Sequence, residues 1–74
     1  MVEPEGEPWV TLNGVRRPLR SPLLADLVRE AGHDPSRPGI AVAVNGEVIP
    51  RASWTLRRLE RGDEIEVVGA VQGG

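Results

Sequence analysis

Seventy-four residues supply one small domain, which buries only about 60% of its unfolded surface and has no room for a second core. Cysteine is absent and histidine occurs once, at His33, which excludes disulfides and leaves too few ligands for a zinc centre. A net charge of −2 with a pI near 5.3 disfavours a nucleic-acid partner. With no apolar run of spanning length and no basic segment leading into one, the expected setting is the cytoplasm, away from membranes.

Residues 1–8 carry Glu3, Glu5 and Glu7 among Pro4, Gly6 and Pro8, and read as a disordered acidic lead-in without apolar periodicity. Order is expected from Trp9. Trp9 to Leu12 predicts a strand with Val10 and Leu12 on one face. Asn13-Gly14 is the pair a two-residue hairpin favours, since both central positions need positive φ. The return strand, Val15 to Leu19, contains Pro18, which lacks an N–H and so belongs at a sheet edge, as do Arg16, Arg17 and Arg20. Ser21-Pro22 predicts a helix start, with Ser21 as N-cap. Leu24, Leu27, Val28 and Ala31 then form one apolar stripe of an amphipathic helix of about ten residues, stopped at Gly32.

Asp34 to Gly39 reads as a loop. Ile40 to Val44 predicts a strand with large residues on one face and alanines on the other. Asn45-Gly46 signals a second hairpin into Glu47 to Ile49, ended by Pro50. Arg51 to Leu56 has no clean period and predicts an irregular crossover with a short helical turn, and Arg57, Arg58 and Arg61 read as solvated charges. Arg61-Gly62-Asp63 is a turn, and Glu64 to Val68 is the last strand.

A hairpin, one helix and three further strands make an α+β pattern. If the last strand returns beside the first, the fold is a ubiquitin-like β-grasp: a mixed sheet of four to five strands with one amphipathic helix across it, over residues 9–68. Catalytic residues are not expected. Ser21 or Ser53, His33 and Asp26 or Asp34 provide the residue types of a triad, but His33 stands in a helix exit loop, and a triad needs a rigid constellation. The chain also offers little volume for a substrate pocket, so an enzyme is not expected.

Residues 69–74, Gly69-Ala70-Val71-Gln72-Gly73-Gly74, read as a flexible tail ending in a diglycine. Without Cβ atoms, two such residues pass through a slot too narrow for others. Two terminal glycines arise by chance in about one chain in two hundred at ordinary glycine usage, so the pair alone is weak.

In register with Val44-Asn45-Gly46-Glu47-Val48-Ile49-Pro50-Arg51-Ala52-Ser53-Trp54 and the Gly62-Asp63 turn, it is stronger. From about Trp9 to Gly74 the chain resembles the ubiquitin-like sulfur carriers of thiamine biosynthesis, the ThiS family. The lead-in before Trp9 departs from that family, whose members usually begin at the first strand. The resemblance implies that an E1-like adenylyltransferase consumes MgATP to convert the Gly74 carboxylate into an acyl-adenylate, whose phosphate is a competent leaving group. Sulfur from a persulfide donor of the cysteine desulfurase type then displaces AMP and leaves a thiocarboxylate, which thiazole synthase accepts. It further implies that Gly74 carries the acyl group. Gly73 keeps the approach slim, and Gln72, Val71, Ala70 and Gly69 are bound through their extended backbone. Trp54 is either a rim-of-core residue or a docking contact, and Arg51 either a partner contact or a solvated charge. No intrinsic cofactor is implied. The competing readings are a molybdopterin-synthase small subunit, a sulfur carrier of another pathway, and a plain β-grasp interaction module with an accidental diglycine.

Overall fold

Two Asn-Gly turns organise the sheet. In the computed structural model, which describes residues 8–69, Asn13 and Gly14 take φ of 51° and 86°, and Asn45 and Gly46 take 53° and 83°. Positive φ at both central positions gives the turn a twist that matches its flanking strands. The first turn joins β1 (Trp9–Leu12) to β2 (Val15–Pro18), and the second joins β3 (Ile40–Val44) to β4 (Glu47–Val48). The last strand, β5 (Glu64–Gly69), enters between them to give the order β2-β1-β5-β3-β4. β5 runs parallel to β1 and antiparallel to β3. This is the β-grasp arrangement, a five-stranded mixed sheet, and Pro18 lies on its edge strand as expected. The lead-in over 1–7 and the tail over 70–74 fall outside the described residues.

The single helix, α1 (Leu24–Glu30), lays Leu24, Ala25, Leu27 and Val28 against the sheet. They share one core with Val10, Val42, Val44, Ile65 and Val67 from the strands and with Ile49, Trp54 and Leu59 from the crossover. The helix ends as expected. Gly32, at φ 94°, donates to the Arg29 carbonyl at 3.0 Å, and His33 donates to Val28 at 3.2 Å. These are the two bonds that satisfy the last carbonyls in a Schellman ending.

The start of α1 differs from the expected one. Ser21 is not the N-cap; Leu23 is, with extended φ −101° and ψ 136° and no side-chain cap bond. Leu23 is held extended by an isolated bridge to Arg58, flanked by Leu59 N–H to Pro22 at 2.7 Å and Leu24 N–H to Arg57 at 3.0 Å. Ala25 N–H donates to Trp54 at 3.0 Å. Crossover carbonyls thus satisfy helix-start donors that a capping side chain usually takes. The Ser21 hydroxyl donates instead to Asp26 at 2.6 Å. The crossover does contain the short helical turn, a 3₁₀ segment at Arg51–Ser53. At the other end, Gly69 is the last residue of β5, opposite Ile40, so the strand runs one residue further than expected before the tail begins.

Candidate functional site: the root of the tail

β5 delivers the chain to residue 69, and both hairpin asparagines hold it there. The Asn45 amide donates from its backbone to Glu64 at 2.7 Å, while its side-chain oxygen accepts the Glu64 N–H at 2.9 Å. Its Nδ2 donates to the Asp63 carboxylate at 3.0 Å. Asn13 does the same work near the other end. Its backbone N–H donates to Ile65 at 2.8 Å, its Oδ1 accepts the Val67 N–H at 2.9 Å, and its Nδ2 donates to the Val67 carbonyl at 3.2 Å. The β1 backbone turns away at Gly14, and one side-chain amide replaces the peptide group that would have formed the next rung. Sequence reasoning assigned these asparagines to turns alone. The second role was invisible because it depends on β5 lying beside both turns.

At the root itself, the imidazole of His33 lies over Gly69: a Cβ built on Gly69 would sit 3.4 Å from Cε1. His33, Asp34, Arg37, Ile40 and Gly69 line an open groove there. Asp34 accepts from the Ser36 N–H at 2.9 Å and its hydroxyl at 2.7 Å. Those bonds, the hydroxyl's first, lower its pKa below the ordinary 3.8. The triad residue types are therefore dispersed: Ser21 pairs with Asp26, Asp34 with Ser36, and His33 packs on Gly69.

The two proposed docking residues differ: Trp54 is buried and Arg51 is exposed. Trp54 is 2% exposed, in the core, with its indole N–H donating to Ile49 at 2.8 Å. The 3₁₀ turn before it rotates the ring inward, so the core reading holds and the docking reading is withdrawn. Arg51 is exposed, as both a solvated charge and a partner contact would be, and it also has partners within the chain. Its guanidinium donates to the carbonyls of Pro35 and Arg37 and stacks over the Trp54 ring at 4.7 Å. Both residues brace the loop that follows α1.

The outer face of the sheet near the end of β5 is exposed. Val68 is 62% and Val48 71% exposed. Ala41 lies opposite Val68, and Ala43 opposite Val48, so the four form one apolar strip across β5, β3 and β4. The alternating alanines of β3 carried this signal in the sequence. Ala70, Val71, Gln72, Gly73 and Gly74 fall outside the described residues. Among the described residues, no helix is long and apolar enough to cross a membrane.

A model of the ThiS family matches residues 10–74 of this chain. The sequence is similar to the sulfur carrier protein ThiS of Thermus thermophilus, 38% identical over 65 residues, covering 88% of this chain and 98% of that protein. The fold is similar to the crystal structure of the thiamine biosynthesis protein ThiS from Geobacter metallireducens, with a TM-score of 0.70 over 89% of this chain and 99% of that one, at 22% identity.

Proposed function

Because the chain belongs to the ThiS family, we propose that it is a sulfur carrier of thiamine biosynthesis whose reactive group is the Gly74 carboxylate. A sulfur carrier is a protein that other enzymes act on, and it works with those partners. The observation that carries the reading is a family match that runs through the diglycine at residues 73 and 74, behind a β-grasp that places β5 at the centre of its sheet.

A carboxylate resists attack because its carbonyl is electron-rich and oxide is a poor leaving group. An E1-like adenylyltransferase removes that obstacle with MgATP, releasing pyrophosphate and forming the Gly74 acyl-adenylate. The terminal sulfur of a persulfide on a cysteine desulfurase-type donor attacks the carbonyl, AMP leaves, and an acyl disulfide remains. A thiol then cleaves the S–S bond, as in ordinary thiol–disulfide exchange, and the thiocarboxylate is released for thiazole synthase. Gly73 keeps the approach to the carbonyl slim, and Ala70, Val71 and Gln72 are gripped as extended backbone. The strip of Val68, Ala41, Ala43 and Val48 begins one residue before the end of β5 and is the face over which a partner closes.

Intact-mass measurement tests this directly. After incubation with MgATP, an E1-like adenylyltransferase and a persulfide donor, one C-terminal oxygen is replaced by sulfur. A mass that remains that of the free carboxylate with every active adenylyltransferase of this type refutes the reading.

A further inference from the structure

The Asn13 side chain marks a boundary along β5. Residues of a strand alternate the direction of their backbone groups, so successive N–H and C=O pairs face opposite neighbours. Glu64 exchanges bonds with Asn45 on the β3 side, whereas Ile65 and Val67 bond Asn13 on the β1 side. Continuing the alternation, Glu66 and Val68 face β3, opposite Ala43 and Ala41, and Gly69 faces the β1 side. β1 does not reach that far: its pairing stops at Leu12 opposite Ile65, and Asn13 fills the rung at Val67. No described residue pairs with Gly69 on that side. β5 therefore ends in a half-open edge, paired to β3 on one flank and unpaired on the other, with the inner face covered by His33 and Val68 exposed on the outer face.

We infer that this edge is where the tail-activating adenylyltransferase adds an extended strand of its own, in the place β1 would fill had it not turned at Asn13-Gly14. The inference rests on the carrier reading above. Gly74 is the fifth residue beyond Gly69, a reach of at most about 18 Å, so the enzyme that reacts with Gly74 must bring its surface close to Gly69. A strand laid there pairs with the Gly69 N–H and C=O. It gains affinity from main-chain bonds and needs few side chains for recognition. Asn13 is the positioning residue of this interface: it finishes the intramolecular ladder with a side chain and leaves the next rung to the partner.

Amide hydrogen exchange read residue by residue tests the inference on the unmodified chain. In the free protein the Gly69 amide exchanges fast, while Glu66 and Val68, bonded to β3, exchange slowly. In a saturated complex with an E1-like adenylyltransferase that produces the thiocarboxylate from this chain, Gly69 exchange slows at least about tenfold. Two variants sharpen the result, because each places the same Cβ near His33 and only one keeps the N–H. Gly69→Ala retains affinity within a few-fold, and Gly69→Pro weakens it about tenfold, the factor that one lost hydrogen bond of ordinary strength gives. Unchanged Gly69 exchange in a complex that still makes thiocarboxylate overturns the edge-pairing inference alone. Protection by thiazole synthase but not by the adenylyltransferase overturns it as well. Failure to form thiocarboxylate with any such enzyme overturns the carrier reading and this inference together.

Discussion

Asn13, Asn45, Trp54 and Asp34 show how much a single side chain can hold in a domain of this size. Asn45 supplies a positive-φ residue and two side-chain hydrogen bonds to the start of β5. Asn45→Ala loses all three and is expected to destabilise the fold by about 1–3 kcal/mol, read from the urea midpoint. Asn45→Gly keeps the turn but not the bonds and should fall between. Trp54→Ala opens a cavity beneath the crossover and costs about 3–5 kcal/mol, a large part of what a marginally stable domain has. Trp54→Phe, which keeps most of the volume but strands the Ile49 carbonyl, should cost less; equal costs would refute the role given to the indole N–H. Asp34 carries the pH prediction. Its folded pKa lies below 3.8 because the carboxylate accepts two Ser36 bonds. The contribution is therefore fully present above the unfolded pKa and is lost as pH falls through the lower folded value. An NMR titration should show the Ser36 amide shifting with a midpoint below 3.8, and a midpoint at or above it refutes the assignment.

Among the elements, the crossover departs most from what local sequence foretells. The strands, both Asn-Gly turns, the helix and its Gly32 stop were legible, because each depends on periodicity or on φ requirements carried by adjacent residues. Ser21 was misread because the cap rule is local, whereas the start of α1 is set by carbonyls of Trp54 and Arg57, some thirty residues on. The intramolecular partners of Arg51 were hidden for the same reason. A guanidinium on an exposed turn shows no partner in the sequence, and only the fold brings the Pro35 and Arg37 carbonyls to it. The tail root was half legible: Gly73 and Gly74 are plain in the sequence, but His33 and Asn13 reach β5 only through the sheet order. Arg51→Ala should loosen residues 34–38, seen as faster protease cleavage or amide exchange in that loop, with a global stability loss of about 1–2 kcal/mol. Arg51→Lys should not restore the loop, since an ammonium cannot span two carbonyls in the fixed fork that a guanidinium provides. Full rescue by lysine would show that charge alone suffices.

For the whole molecule, the carrier reading divides the labour between a folded body and a short reactive tail. On the carrier reading, deleting residues 73 and 74 should leave thermal and urea midpoints within about 0.5 kcal/mol of the full chain while thiocarboxylate formation is abolished. A substantial loss of stability would mean that the tail packs on the body. The same sheet order has a mechanical consequence. β1 and β5 run parallel, so the start of one and the end of the other lie at opposite ends of the pair. Tension applied between Trp9 and Gly69 loads the rungs of the central strands in shear, and they must give way nearly together, whereas an antiparallel hairpin pulled at its open end unzips one rung at a time. On the carrier reading, a partner that grips the chain beyond Gly69 pulls β5 along its stiffest axis, without peeling it from the sheet.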